Sequence, residues 1–228
     1  MKMKFGALVV DGRGKIGGHV ASKNRGGAYL RTKVTPVNAQ TSYQLGVRSR
    51  FTGFSQGWRA LTAGQRDAWN AAVSDFQKTD IFGDLRSPTG FNLFQRLNNN
   101  LSVCGVAQIN VPPLPSAVGA IFILLLEKIN SENSFTIVFT SSLPANTAIK
   151  IYATAPLSAG KSFVKSEFRL ILVATSLDID SKNIHNSFVA KFGTQGLVGQ
   201  KVFVKCIAVN IITGQTGTPS QNSIITLS

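Results

Sequence analysis

Acidic side chains are scarce in this sequence: ten Asp and Glu stand against 24 Lys and Arg in 228 residues, a formal net charge of +14. Cysteine is scarcer still. The two thiols, Cys104 and Cys206, lie about 100 positions apart, which excludes a disulfide framework and any CxxC zinc pattern. Their neighbours (Val103 and Gly105, Lys205 and Ile207) suit small buried hydrophobes. The two histidines, His19 and His185, have no Cys, Asp or Glu set near them at metal-ligand spacing. Long apolar runs are missing as well. The longest, Ala117 to Leu126, holds ten residues, half of the ~20 that a membrane span needs. Met1-Lys2-Met3-Lys4 is basic, but the apolar stretch after it stops at Asp11, so no targeting segment is predicted. These absences point to a soluble chain made in a reducing compartment. What is present is enough apolar material, 43% of residues, to exclude wholesale disorder and to build one large domain or two small ones.

The positive charge is concentrated. Residues 1–66 carry twelve Lys and Arg against one acid, a net of +11. Residues 67–112 carry three against four, a net of −1, and residues 113–228 carry nine against five, a net of +4. Such asymmetry marks a basic arm on an ordinary body. From Asp11 to Asn38 the arm is rich in glycine, and its short β-prone pieces (His19–Ser22, Ala28–Arg31) are divided by Gly-Gly pairs that read as turns or bulges. Its apolar content is too low for a core. Residues 1–40 are therefore predicted to form an extended arm or loose hairpin that orders on another surface. The candidate docking residues are Lys15, Lys23, Arg25, Tyr29, Arg31 and Lys33.

The period changes at Thr41. Val47, Phe51, Phe54, Trp58 and Leu61 recur at helical spacing on one stripe. Thr62 and Gln65 then form an S/T-x-x-E/Q capping box that opens a second helix, with Trp69, Ala72, Val73 and Phe76 on its apolar face. The core of this helical node, residues 41–110, is predicted to hold Phe51, Phe54, Trp58, Trp69 and Phe76. Ser87-Pro88 offers an N-cap with proline at the first position of a third helix, marked by Leu93, Phe94, Leu97 and Leu101 and ending near Asn98–Asn100. Pro112, Pro113 and Pro115 make residues 111–116 a stiff extended linker, expected to be sensitive to protease.

From residue 117 to 228 the pattern is short strands divided by turn signals. Seven are predicted, at Ile121–Glu127, Ser134–Thr140, Thr147–Ala153, Glu167–Ala174, Ser187–Phe192, Lys201–Asn210 and Ser223–Leu227. That number of strands in ~110 residues predicts an immunoglobulin-like or fibronectin-III-like sandwich, with a small barrel as the rival. The fold class expected for the whole chain is α+β: a basic β/coil arm, a small helical node and an all-β sandwich.

Two motifs mimic nucleotide sites. Gly12-Arg13-Gly14-Lys15-Ile16-Gly17 is a literal GxGxxG, yet no helix-forming stretch follows to offer its amides to a pyrophosphate. Ala159-Gly160-Lys161-Ser162 ends like a phosphate loop, but position 155, where the opening glycine belongs, is Ala155. It reads as a hairpin turn. Asp178 and Asp180 have no acidic partner and are placed in a loop. With no Ser/His/Asp or Cys/His arrangement, the sequence predicts no enzyme and no cofactor. As a nucleic-acid binder the arm is weak, since Tyr29 alone is available to stack and no recognition helix is convincing.

The order of motifs resembles an uncharacterised family of tailed-bacteriophage and prophage proteins. The match runs over about residues 14–101: GKIGGHVASKNRGGAYLRTKVTPVN, then Gln44, Arg48 and Phe51, then WRALTAGQRDAWN and SPTGFNLFQRLN. One departure is Ala39, where the family has proline after the residue matching Asn38, and it loosens the turn there. The resemblance implies a virion structural protein, capsid-associated or part of a head–tail connector, whose partners are capsid, portal or tail subunits in a multi-copy symmetric assembly. DNA is the second candidate partner, and no membrane is implied.

Overall fold

The computed structural model describes residues 1–6, 11–24, 26–139, 145–175 and 181–228. Arg25, Asp178 and Asp180 lie outside the described residues.

Helices α1 (Ser42–Ala60) and α2 (Ala63–Ala71) meet at a corner where Thr62 is the N-cap. Its hydroxyl accepts from the Gln65 amide (3.2 Å) and its own amide donates to Gln65 Oε1 (2.9 Å), the reciprocal box expected from the sequence. A 3-10 turn, Ala72–Phe76, follows α2. Helix α3 (Gly90–Val103) starts two residues later than the Ser87-Pro88 signal suggests, because the Thr89 hydroxyl caps it by accepting from the Asn92 amide (3.1 Å). It also runs past the asparagine cluster. Asn98, fully buried, donates to the Phe94 and Ile109 carbonyls and accepts from the Ile109 amide, so its side chain ties the chain after the helix back to the node.

The node core is Leu61, Trp69, Phe76, Leu93, Phe94 and Leu97. Phe94 sits between both tryptophans, edge-on to Trp58 (5.5 Å) and to Trp69 (5.4 Å), and the Trp69 indole N–H donates to the Asn110 carbonyl (2.9 Å). Phe54 and Trp58 pack partly buried against this cluster. Phe51 does not belong to it. Its side chain is 57% exposed, as are Tyr43 (56%), Leu45 (50%) and Val47 (40%) to similar degrees. The stripe is helical as read, but at the Phe51 turn α3 presents a polar side chain: the Gln95 amide donates to the Phe51 carbonyl (3.3 Å) and to the Ser55 hydroxyl (3.0 Å), and the Phe51 ring stays outside the aromatic cluster. Periodicity shows which side chains share a face. It is silent on what the opposing surface presents.

The C-terminal half holds two antiparallel sheets that share one core. After β1 (Lys2–Met3), β2 (Gly14–Ile16), β3 (His19–Asn24), β4 (Gly27–Thr32), β5 (Lys78–Thr79) and β6 (Leu85–Arg86), the strands here are β7 (Ile123–Ile129), β8 (Ser134–Phe139), β9 (Thr147–Ala153), β10 (Arg169–Ala174), β11 (Ser181–Asn183), β12 (Lys201–Asn210) and β13 (Ser220–Ile225). One sheet is ordered β11-β8-β7 and the other β10-β9-β12-β13. Strand β8 alternates strictly, burying Phe135, Ile137 and Phe139 against Ile149 and Ile151 of β9 and Val202, Val204 and Cys206 of β12. Burial drives the Cys206 thiol up to about 12, as suits a small core side chain. Residues 187–192 are not a strand. They belong to helix α4 (His185–Phe192), which ends where Gly193 takes a left-handed conformation (φ 72°). Ile184, Phe188 and Phe192 are spaced four apart, and the Phe188 and Phe192 rings meet tilted at 4.9 Å, a helical period that overrides the β-prone composition.

The node rests on the outer face of the four-stranded sheet, which explains why β9 is buried on both faces. Lys150, pointing away from the sandwich core, donates to Asn100 Oδ1 at the end of α3 (2.8 Å), and Asn100 Nδ2 donates to the Gly214 carbonyl (2.8 Å). A Cβ at Gly214 would collide with the Leu97 carbonyl, so this close approach requires glycine. The linker is held too. Gln215 donates to the Leu114 carbonyl (3.0 Å) and accepts from the Ser116 amide (3.1 Å). Gln215→Ala is expected to speed cleavage within residues 111–116 by a nonspecific protease several-fold, measured as loss of full-length chain. Among the described residues, no helix is long and apolar enough to cross a membrane.

Candidate docking face of the N-terminal sheet

The described strands within residues 1–6, 11–24 and 26–32 form a four-stranded antiparallel sheet where the sequence suggested an extended arm or loose hairpin. Its strands are β1 (Lys2–Met3), β2 (Gly14–Ile16), β3 (His19–Asn24) and β4 (Gly27–Thr32), ordered β1-β4-β3-β2. The turn Gly17-Gly18 joins β2 to β3, and the start of the chain is stitched in by the Leu30 amide donating to the Met1 carbonyl (2.7 Å).

Register sorts the cationic side chains by face, because residues directly opposite in antiparallel strands share a face. Lys15 is opposite Val20, and Val20 is opposite Arg31. In the next row on that face, Ser22 is opposite Tyr29 and Tyr29 opposite Lys2. Lys33 continues the alternation just past β4, its amide bonded to the Gly18 carbonyl (2.8 Å). Lys15, Tyr29 and Arg31 therefore share one face, with Lys15 and Arg31 about 10 Å apart across two strand spacings. Lys23 does not join them. It lies opposite Ala28 on the reverse face, alongside Ala21, and its ammonium pairs with Asp11 (3.8 Å). Lys15, Arg31 and Lys33 are exposed, with no ion-pair partner among the described residues, whereas Tyr29 is half-buried.

Sequence reasoning missed what holds this sheet to the node. Lys2 and Lys4 pair with Asp80 (3.5 Å) and Asp84 (3.0 Å) of a small hairpin formed by β5 (Lys78–Thr79) and β6 (Leu85–Arg86), and Arg86 bonds both carboxylates (3.5 and 3.4 Å). Two of the node's four aspartates flank Phe82-Gly83, and their proximity in sequence was a usable signal for an acceptor of the arm's charge. The Asp80 side chain, 3% exposed, also accepts from the amides of Phe82 (2.8 Å) and Asp84 (3.2 Å). The Phe82 amide holds its carboxyl below the ordinary 3.8 against the opposing pull of burial, with the Asp84 amide and Lys2 adding to the effect. A carboxyl depressed by folding supports the structure above its ordinary value and ceases to as pH falls through the folded one. The sheet is thus expected to loosen below about pH 4. Asp80→Asn should speed tryptic cleavage at Lys23 and Arg31 several-fold at pH 7.

Neither nucleotide mimic forms the element it would need. Gly14–Ile16 is a strand leading into a turn, and Ala159–Ser162 lies in the connection between β9 and β10, where Lys161 pairs with Glu167 (2.7 Å). His19 is exposed on β3, and His185 is buried at the start of α4. Among the described residues no group of three or more His, Cys, Asp or Glu is placed to hold a metal ion. No family model, curated protein or solved structure matches the chain.

Proposed function

We propose that the chain is a non-enzymatic structural protein of a phage particle, located in the virion after assembly in the host cytoplasm, and that it docks onto an acidic capsid, portal or tail surface. The observation that carries this reading is the row in which exposed Lys15 and Arg31 flank Val20, extended by Lys33, on a sheet whose other described cations, Lys2, Lys4, Arg13 and Lys23, are already paired within the chain. Two folded units follow it. The seven-stranded unit fits an immunoglobulin-like module of the fibronectin-III kind. Its first, second and fifth strands share one sheet and its third, sixth and seventh the other, as in immunoglobulin domains, while the fourth strand pairs with the third.

A protein acceptor is favoured over the genome by what lies next to the basic row. Val34, Val37, Tyr43, Leu45, Val47 and Phe51 are all exposed along the segment and half-helix that follow β4. Protein interfaces bury apolar and aromatic surface inside a polar rim, whereas phosphate contacts need only cations. Salt titration separates the two. A genome-binding chain would hold any duplex DNA at physiological salt, with log K falling linearly against log salt at a slope of roughly −0.9 per phosphate neutralised. The proposal predicts no such tight DNA binding, together with crosslinks from residues 15–51 to a particle protein. Tight duplex binding at physiological salt without such crosslinks overturns it.

A further inference from the structure

The junction of node and sandwich encloses an open cleft of about 720 Å³, a size typical of small-ligand sites. Its walls come from every part of that junction: Arg96 and Asn100 of α3, Lys78 of β5, Lys150 of β9, and Thr216 and Thr218 in the loop before β13. Among these lining residues the cations are three and the single acid is Asp75. Lys150 is 6% exposed, and of its three ammonium donors one is used, on Asn100. Nearby Cys104 offers no counter-charge, since burial pushes its pKa up and keeps it a thiol. Arg96 lies over the Phe76 ring (6.0 Å) and, among the described residues, makes no hydrogen bond or ion pair with a protein oxygen. Burial lowers the pKa of both groups, which is what an uncompensated cation in a partly dry wall undergoes.

Chains rarely keep buried cations without counter-charge, because the desolvation cost goes unmet. Here the buried Lys150 and the half-buried Arg96, from separate folded units, face one cavity, beside hydroxyls and amides able to donate. We propose that this cleft is a binding site for a phosphoryl group carried by a small molecule, with Arg96 and Lys150 as its principal ligands. An arginine fork takes two oxygens of a tetrahedral oxyanion, a lysine serves as a point charge to a third, and the remaining volume accommodates an organic body. Because its walls belong to both units, an occupant would clamp the node to the sandwich. This site is separate from the N-terminal sheet and does not depend on the docking reading.

The test is calorimetric titration of the full chain with inorganic phosphate and pyrophosphate at constant ionic strength, with acetate as control. Saturable binding is expected, tighter for pyrophosphate and absent for acetate. Arg96→Gln should weaken it at least tenfold. Lys150→Gln should do the same, and if that variant fails to fold the Arg96 result decides. Lys165→Gln, an exposed cation outside both the cleft and the N-terminal sheet, should bind as the unaltered chain does. No saturable binding of either probe, equal binding by Arg96→Gln, equal binding of acetate, or loss in Lys165→Gln would each overturn the assignment.

Discussion

Replacing Phe94 by alanine is expected to destabilise the helical node by about 3–5 kcal/mol, the range for deleting a buried aromatic ring that its surroundings cannot refill. Phe94 is fully buried, and both tryptophans of the chain stand edge-on against it, so its loss removes two aromatic contacts as well as apolar area. The geometry also supplies the readout. Trp58 and Trp69 both belong to the node, so urea unfolding followed by tryptophan fluorescence reports on that unit, while the far-ultraviolet β signal reports mainly on the sandwich. The fluorescence midpoint should fall sharply in Phe94→Ala. By contrast Phe51→Ala, on the same stripe as Trp58 but 57% exposed, should change stability by no more than about 0.5 kcal/mol. Equal costs at the two positions would mean that α1 is covered along its whole length.

The second large effect is expected from charge. Lys15→Glu combined with Arg31→Glu should weaken association with the proposed acidic acceptor at least 100-fold at physiological salt, about 2.8 kcal/mol at 1.4 kcal/mol per tenfold. Both side chains are exposed and unpaired among the described residues, so the fold should be unaffected, as a thermal melt would show. Lys23→Glu is the matched control. It lies on the reverse face beside Asp11 and should weaken association less than about threefold, since it leaves the proposed docking row untouched. A Lys23 effect as large as that of the double variant would show that net charge, not the face, governs binding. Affinity measured by surface capture of purified particles distinguishes the two outcomes.

How far the sequence could be read depended on whether the deciding interaction was local. The Thr62–Gln65 box is four residues long and was legible outright, as were Thr147–Ala153 and Lys201–Asn210, whose bounds match β9 and β12. Residues 187–192 misled because phenylalanine and valine suit strands. The four-residue spacing from Ile184 through Phe188 to Phe192, closed by Gly193, was the better signal. Phe51 misled for another reason: α3 meets that turn with the polar Gln95 and not with an apolar side chain, which no window around α1 contains. At the candidate site, the basic residues were visible individually, but their division into faces depends on register, and register places Lys23 apart from Lys15 and Arg31. The anchoring pairs Lys2–Asp80 and Lys4–Asp84 join residues about 80 positions apart, beyond the reach of any local pattern.

The most direct measurement is the amount of this chain in density-purified phage particles assembled with either the unaltered protein or the Lys15→Glu, Arg31→Glu variant. The account predicts that the unaltered chain is present in fixed ratio to the major capsid protein and that the variant, though folded, is left behind in the soluble fraction. Particles without the unaltered chain, or particles carrying both forms equally, would contradict it.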